Sequence, residues 1–247
     1  MTHYPIYSGD VPYLTTDQMR EVDRAMIEDY HIELIQMMEN AGRNLAHLAR
    51  RRFFDGDPRG KSVVIMAGTG GNGGGALVCA RRLHNYGANV SVFVTAADDT
   101  FTPIPGHQLD ILRRMHVPVA QAHAVTSQAA PDLVIDGVIG YSLKGPPVGE
   151  AKTLVQWANN SQAPILALDA PSGVDTTTGT VFDPAIRATA TMTLALPKEG
   201  LRAPGIDAQV GELYLADIGV PPDLYAEPAL GLTVGSVFAQ SDIVRLR

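Results

Sequence analysis

The stretch "SVVIMAGTGGNGGGALVCARRL", residues 62–83, decides how the rest of the chain is read. It opens on a continuous apolar run at 62–67. Six of the eight residues from Gly68 to Gly75 are then glycine. Apolar residues return at helical spacing and run to Gly87, a residue suited to closing a helix in the left-handed conformation. A buried strand, a glycine turn and a helix, in that order, gather backbone N–H groups and a helix N-terminus at one point. Such a point favours a phosphate or another anion.

Gly68, Gly70 and Gly73 satisfy G-x-G-x-x-G. The dinucleotide fingerprint also asks for an acidic residue about 20 positions on, at the end of the next strand, to hold the ribose. That strand, "NVSVFVTA" at 89–96, carries Thr95 or Ala96 there, and Asp98 and Asp99 come late. The pattern of an ordinary hydride-transfer dehydrogenase is therefore incomplete. A plainer alternative is a turn that only packs its helix tightly on the sheet. Asn72, the one polar residue of the run besides Thr69, either supports the turn or faces a ligand or ion.

The same texture extends along the chain. "TTDQMREVDRAMIEDY" begins with a capping box, Thr15 to Gln18, and places Met19, Val22, Ala25 and Met26 on one helical face. A second helix carries Ile35, Met38, Ala41, Leu45 and Leu48 on one stripe. From Lys61 onward, buried strands alternate with helices. Strands are expected at "VPVA", "PDLVIDGV", "APILALDAP", "ATATMTLALP" and "GELYLADIG". Continuous apolar strands between helices imply a mainly parallel sheet covered on both faces. The expected fold is a single three-layer α/β/α, Rossmann-like domain preceded by two N-terminal helices. Its expected divisions are an arm at 1–13, the domain at 14–225 and a C-terminal extension at 226–247.

The chain has 247 residues and a formal net charge of −7, which argues against a general nucleic-acid binder. Cys79 is the single cysteine, so an intrachain disulfide and a cysteine-based metal cluster are excluded; a buried thiol is expected. No apolar run is long enough for a membrane span, and "MTHYPIYSGD" lacks the features of a secretory signal. A cytoplasmic location is the expectation.

In a doubly wound sheet, ligands bind beyond the carboxyl ends of the strands. Three polar groups fall there: the glycine loop, Asp136 before "GVIGYSLKG", and Asp169 before "APSGVD". Asp136 either caps its turn or meets a ligand or cation. Lys144, between Gly140 and Gly145, is an ordinary surface lysine or a mobile charge for a phosphate. Asp169 ends an apolar strand, and desolvation there favours general acid–base work. Ser172 offers a hydroxyl and a carbonyl to a hard cation. Asp175 is expected to organise "DTTTG". The seven histidines do not cluster, and Trp157 and the methionine pairs at helical spacing are expected in the core.

Together, "MMENAG", the glycine loop, "DGVIGYSLKG", "LDAPSGVD" and "LPKEGL…PG" resemble the NAD(P)H-hydrate epimerases, the YjeF N-terminal domain family. The likeness runs over roughly 14–221. It implies an isomerase acting on a nicotinamide cofactor with water added at C6, which interconverts its R and S epimers. By position, it implies that Gly71, Asn72, Gly73, Gly74 and Gly75 contact the cofactor, together with Gly140, Tyr141, Ser142, Leu143, Lys144, Gly145 and Pro146. Asp169 would be the acid–base group, and Lys144 would hold a phosphate or steady the departing oxygen. A potassium ion would sit between Asn72, Asp136 and Ser172. The resemblance also implies a homodimer and a separate NAD(P)H-hydrate dehydratase. The tail, "SVFAQSDIVRLR", is similar to the start of the linker to that domain in fused relatives, so the dehydratase is expected as a separate protein.

The family loop usually reads G-x-G-N-N-G-G-D-G, and here Gly71, Gly75 and Ala76 depart from it. The acid missing at Gly75 keeps two other readings in view: action on a different nucleotide-like metabolite, or a non-catalytic module binding a ligand or RNA.

Overall fold

The computed structural model describes residues 4–247. In chain order, α1 (Thr16–Glu28) and α2 (Leu34–Phe53) precede β1 (Ser62–Ala67), α3 (Gly71–Asn85) and β2 (Asn89–Val94). Next come α4 (Pro103–Arg114), β3 (Val119–Gln121), β4 (Leu133–Gly137), α5 (Gly149–Asn160) and β5 (Ile165–Leu168). The chain continues through β6 (Ala190–Leu194), α6 (Asp207–Val210), β7 (Glu212–Ala216), α7 (Pro222–Ala226) and β8 (Ile243–Arg245).

The eight strands form one sheet in the order β3-β2-β1-β4-β5-β6-β7-β8, and only β8 runs antiparallel to its neighbour. The chain works outward from β1 to β3, then returns to the other side of β1 to lay down β4. That reversal opens a crevice beyond the carboxyl ends of β1 and β4, the usual ligand position in such sheets.

Both faces of the sheet are covered, as its unbroken apolar strands require. Val63, Ile65 and Ala67 of β1 face a core shared with α2, α3 and α4. Val64 and Met66 face the opposite core, built with Leu154, Val155 and Ala158 of α5. Cys79 lies fully buried in the first core, where burial pushes its thiol up. The glycine-rich start of α3 lets α2 come close: a Cβ at Gly42 would fall 2.5 Å from the Gly75 carbonyl oxygen.

The capping box at Thr15 is formed, with the Thr15 amide 2.9 Å from Gln18 Oε1 and the Gln18 amide 3.3 Å from Thr15 Oγ1. Met19, Val22, Ala25 and Met26 are the buried face of α1. They pack with Met37, Leu196, Ile218, Leu224 and Tyr225 over the strand ends. β8 was not expected. Its three residues are too short for a periodic signal, and it is built by pairing with β7. The arm also joins this edge, where the Arg245 amide donates to the Pro5 carbonyl at 2.9 Å.

Candidate functional site

Two glycines of the loop are steric necessities. A Cβ at Gly73 would lie 1.8 Å from the Gly68 carbonyl oxygen, and one at Gly68 would lie 2.1 Å from that of Val138. These positions only close the turn. Gly71, Asn72 and Gly75 instead line a cavity of about 290 Å³ beyond the strand ends. The packing and ligand explanations of the loop therefore apply to different residues. Gly73 and Gly74 are buried and do not line the cavity.

Asp136 closes β4 and is fully buried. Its Oδ2 accepts from the Ser172 amide at 2.8 Å, and its Oδ1 accepts from Ser172 Oγ at 2.7 Å and the Val138 amide at 3.2 Å. Burial pushes its carboxyl up to about 6, against the pull of those three donors. Ser172 Oγ also takes the Ile139 amide at 2.9 Å. The Asn72 Nδ2 is buried without a hydrogen-bond partner. A Cβ at Gly140 would come within 3.1 Å of Asn72 Cγ and 3.2 Å of Asp169 Oδ2, so a side chain there would crowd both.

Asp169 follows β5 with φ +65°, in the left-handed region. Few residues other than glycine adopt it, and aspartate is one of them. The turn is locked because the Asp169 amide donates to the Met192 carbonyl at 2.7 Å and the Ala170 amide to that of Leu168 at 2.8 Å. The carboxylate is 3% exposed. Its Oδ1 lies 2.5 Å from Lys198 Nζ, and its Oδ2 accepts from the Tyr141 amide at 3.2 Å. Lys198 is completely buried and also donates to the Leu194 carbonyl at 2.8 Å and Thr193 Oγ1 at 3.3 Å. An ion pair with every donor occupied is the condition under which two charges are tolerated in an interior.

Lys198 was missed in the sequence. "LPKEGL" stands out there as a motif, but a lysine among loop residues carries no sign of burial. The segment just before α1 fixes it from outside: the Leu14 amide donates to the Pro197 carbonyl at 2.8 Å and the Glu199 amide to that of Leu14 at 2.9 Å. Asp23 was missed as well. Its signal was available, since it follows Met19 by four residues and so borders the apolar face of α1. Its carboxylate accepts a short hydrogen bond from Tyr141 Oη, and both residues line the cavity.

The apolar wall comes from Met19, Met37, Met38 and Ala41 with Leu34 and Ile218. Met37 and Met38 are buried, as expected of a core pair, yet they face the cavity. Among the expected contact residues, Gly140, Tyr141 and Ser142 line the cavity, while Leu143, Lys144, Gly145 and Pro146 do not. Lys144 is exposed on that loop, so the lysine inside the cavity is Lys198. Asp175 organises its turn, accepting from the Thr177 and Thr178 amides at 2.9 and 2.7 Å. Among the described residues, no three His, Cys, Asp or Glu gather as a metal site.

The family model for the YjeF-related protein N-terminus matches residues 34–200, a span that holds the glycine loop, Asp136, Asp169 and Lys198. The chain belongs to that family. It is 41% identical over 239 residues to an NAD(P)H-hydrate epimerase of Dehalogenimonas lykanthroporepellens, covering 94% of this chain and 92% of the relative. An NAD(P)H-hydrate epimerase of Rhodopirellula baltica is 33% identical, with 87% of each chain covered. A bifunctional NAD(P)H-hydrate repair enzyme of Salinibacter ruber is 35% identical; 85% of this chain matches 41% of that protein. Among solved structures, yeast ynu0 superposes with a TM-score of 0.80 at 25% identity, covering 96% of this chain and 100% of that one. Membership of this YjeF family makes the chain an enzyme of the isomerase class. No helix among the described residues is long and apolar enough to cross a membrane.

Proposed function

We propose that the chain interconverts the R and S epimers of hydrated NAD(P)H. The observation that carries this reading is the buried Asp169–Lys198 pair at the floor of a cavity bounded by the glycine loop. C6 of the hydrated ring bears a hydroxyl and adjoins the ring nitrogen. Inverting it needs a group that moves a proton to or from that oxygen, and the Asp169 carboxyl in the cavity would be that group. Lys198 holds Asp169 Oδ1, and the Tyr141 amide holds Oδ2, so the carboxylate keeps one orientation. The apolar methionine wall suits the partly saturated ring, and the loop amides suit the diphosphate. Lys144, exposed outside the cavity, suits a phosphate better than the departing oxygen. Stepwise loss and return of water and reversible ring opening both fit this arrangement.

Asn72, Asp136 and Ser172 would hold a potassium ion through oxygen donors, as a hard cation requires. The fit rests on two observations. Asp136 is buried with no cationic side chain among its hydrogen-bond partners, and the side chains of Ser172 and Asn72 carry oxygen atoms. When bound, the ion would offset the Asp136 charge and fix the loop against the strand ends.

The S epimer would pass to an NAD(P)H-hydrate dehydratase, in line with the bifunctional repair enzymes among the relatives. A homodimer across the N-terminal helices is part of the proposal, and Ile27 and Leu34 leave apolar surface exposed there. Gly75 gives a specific reason to keep a second substrate in view. It lines the cavity, a Cβ there would meet only Leu168 Cδ2 and Ala41 Cβ within 4 Å, and no acid is supplied from that wall. A related nucleotide metabolite is therefore the second reading.

The test is to add purified R epimer and follow the S epimer chromatographically, with potassium or with a large organic cation. The wild type should accelerate conversion, and Asp169→Asn should slow it at least about 100-fold. Potassium should raise the melting temperature of the wild type and leave that of Asp136→Asn unchanged. A wild-type rate no faster than the spontaneous one would sink the epimerase reading.

A further inference from the structure

The cavity contains a second carboxylate, on a different element from Asp169. Asp23 belongs to α1, which lies over the strand ends, whereas Asp169 closes β5. Tyr141 joins the two: its hydroxyl donates to Asp23 Oδ2 and its amide to Asp169 Oδ2. The Tyr141 carbonyl is held as well, by Thr16 Oγ1 at 3.4 Å and Thr176 Oγ1 at 3.3 Å. Both the phenol and the peptide of Tyr141 are thus fixed, and Asp23 is aimed by a rigid neighbour.

The two carboxylates differ in charge balance. Asp169 has Lys198, while Asp23 has no ion pair among the described residues and a phenol as its hydrogen-bond partner. The ionisable groups facing Asp23 are Tyr141 from the loop, Asp169, Lys198 and, from α7, Tyr225; Arg20 lies on the Tyr141 side. Burial raises the Asp23 carboxyl above the usual carboxylate range and the Asp169 charge adds to this, while Tyr141 and Lys198 oppose it. Burial and the Asp169 charge thus favour the protonated form of Asp23 more than on a surface carboxyl.

Epimerisation at C6, which rests on the reading above, uses both faces of the ring, since C6 is tetrahedral in each epimer and planar only in the iminium between them. On one face a proton reaches the hydroxyl, the C6–O bond breaks with its electron pair leaving in water, and the nitrogen lone pair forms an iminium C=N bond. On the other face, water oxygen forms the new C–O bond, the C=N pair returns to nitrogen, and the surplus proton goes to a base. Atoms and charge balance without a redox step. Two proton-handling groups on separate elements match these two faces. We propose that Asp23, oriented by Tyr141, is the second acid–base residue of the cavity and serves the ring face that Asp169 does not.

Asp23→Asn and Tyr141→Phe test this, assayed with purified R and S epimers of hydrated NADH in both directions. Asp23→Asn should lower kcat about 10- to 100-fold with KM changed less than about threefold. It should also remove one limb of the pH profile of kcat, which a merely structural role would leave in place. Tyr141→Phe should shift that limb and cost several-fold in rate. If Asp23→Asn melts well below the wild type, Tyr141→Phe decides: an unshifted profile overturns the proposal. An active wild type with a full-rate Asp23→Asn overturns this inference alone. An inactive wild type overturns the epimerase reading and this inference with it.

Discussion

Lys198 turns all three of its N–H donors inward, to Asp169, Thr193 and Leu194. Its value lies in what its loss would leave behind. With the ammonium gone, a carboxyl that is 3% exposed loses its counter-ion. Removing one partner of a buried pair costs about 3–5 kcal/mol. Lys198→Met, similar in length and apolar, should therefore lower the melting temperature by roughly 10 °C, as read by calorimetry. Asp169→Asn leaves the completely buried Lys198 ammonium without its counter-ion, so it should cost a comparable amount of stability and, in addition, most of the rate. The two residues were unequally legible. Asp169 stands at the end of an apolar strand, a position that advertises itself in sequence. Lys198 depends on β5 and β6 lying side by side, with Leu168 paired to Met192, and that adjacency is tertiary information. Gly75 was legible as a departure, but Asp23, a second acid of the same cavity, comes from a helix some 50 residues earlier and was not.

The elements themselves were largely readable, because local chemistry and tertiary packing agree in them. Thr15 and Gln18 cap α1 as their spacing predicts, and the Val, Ile and Met run of β1 is buried on both faces. Ties between elements are less visible. Arg52, in the last turn of α2, reaches Glu212 at the start of β7 with bonds of 2.8 and 2.9 Å. That pairing, with Tyr214 Oη adding a bond and Arg245 nearby, lowers the Glu212 carboxyl to about 2 from an ordinary 4.5. A lowered carboxyl stabilises the folded state above its unfolded value and loses that contribution as pH falls toward its folded one. Both side chains are partly exposed, so solvent screening limits the pair to about 1 kcal/mol or less. Denaturant titrations should find Glu212→Gln less stable than the wild type at pH 6, with the gap closing between pH 4.5 and pH 2. A constant gap over that range would show that packing of α2 on β7 matters and the charge does not.

Across the whole molecule, the reversal of strand order between β1 and β4 collects chemistry from segments far apart in sequence. Asn72, Asp136, Asp169 and Lys198 follow or end β1, β4, β5 and β6 in turn. The sheet was legible because a parallel sheet buried on both sides leaves unmistakable apolar runs. Its far edge was not. β8 gains its strand character only by pairing with β7, where Leu215 and Val244 share a small core with Val237. Deleting residues 241–247 should uncover the backbone of β7 and leave an unprotected edge. Light scattering should then detect concentration-dependent association into species larger than those of the full chain.

The left-handed backbone at Asp169 has a bearing on how this position can drift. Two independent filters act on it. The proposed acid–base role asks for a carboxylate, which admits glutamate. The backbone, at φ +65°, asks for glycine, asparagine or aspartate. Glutamate meets the first demand and strains the second; asparagine meets the second and fails the first. Only aspartate passes both, so no intermediate residue type offers a gradual route away from it, and loss of function there would come in a single step.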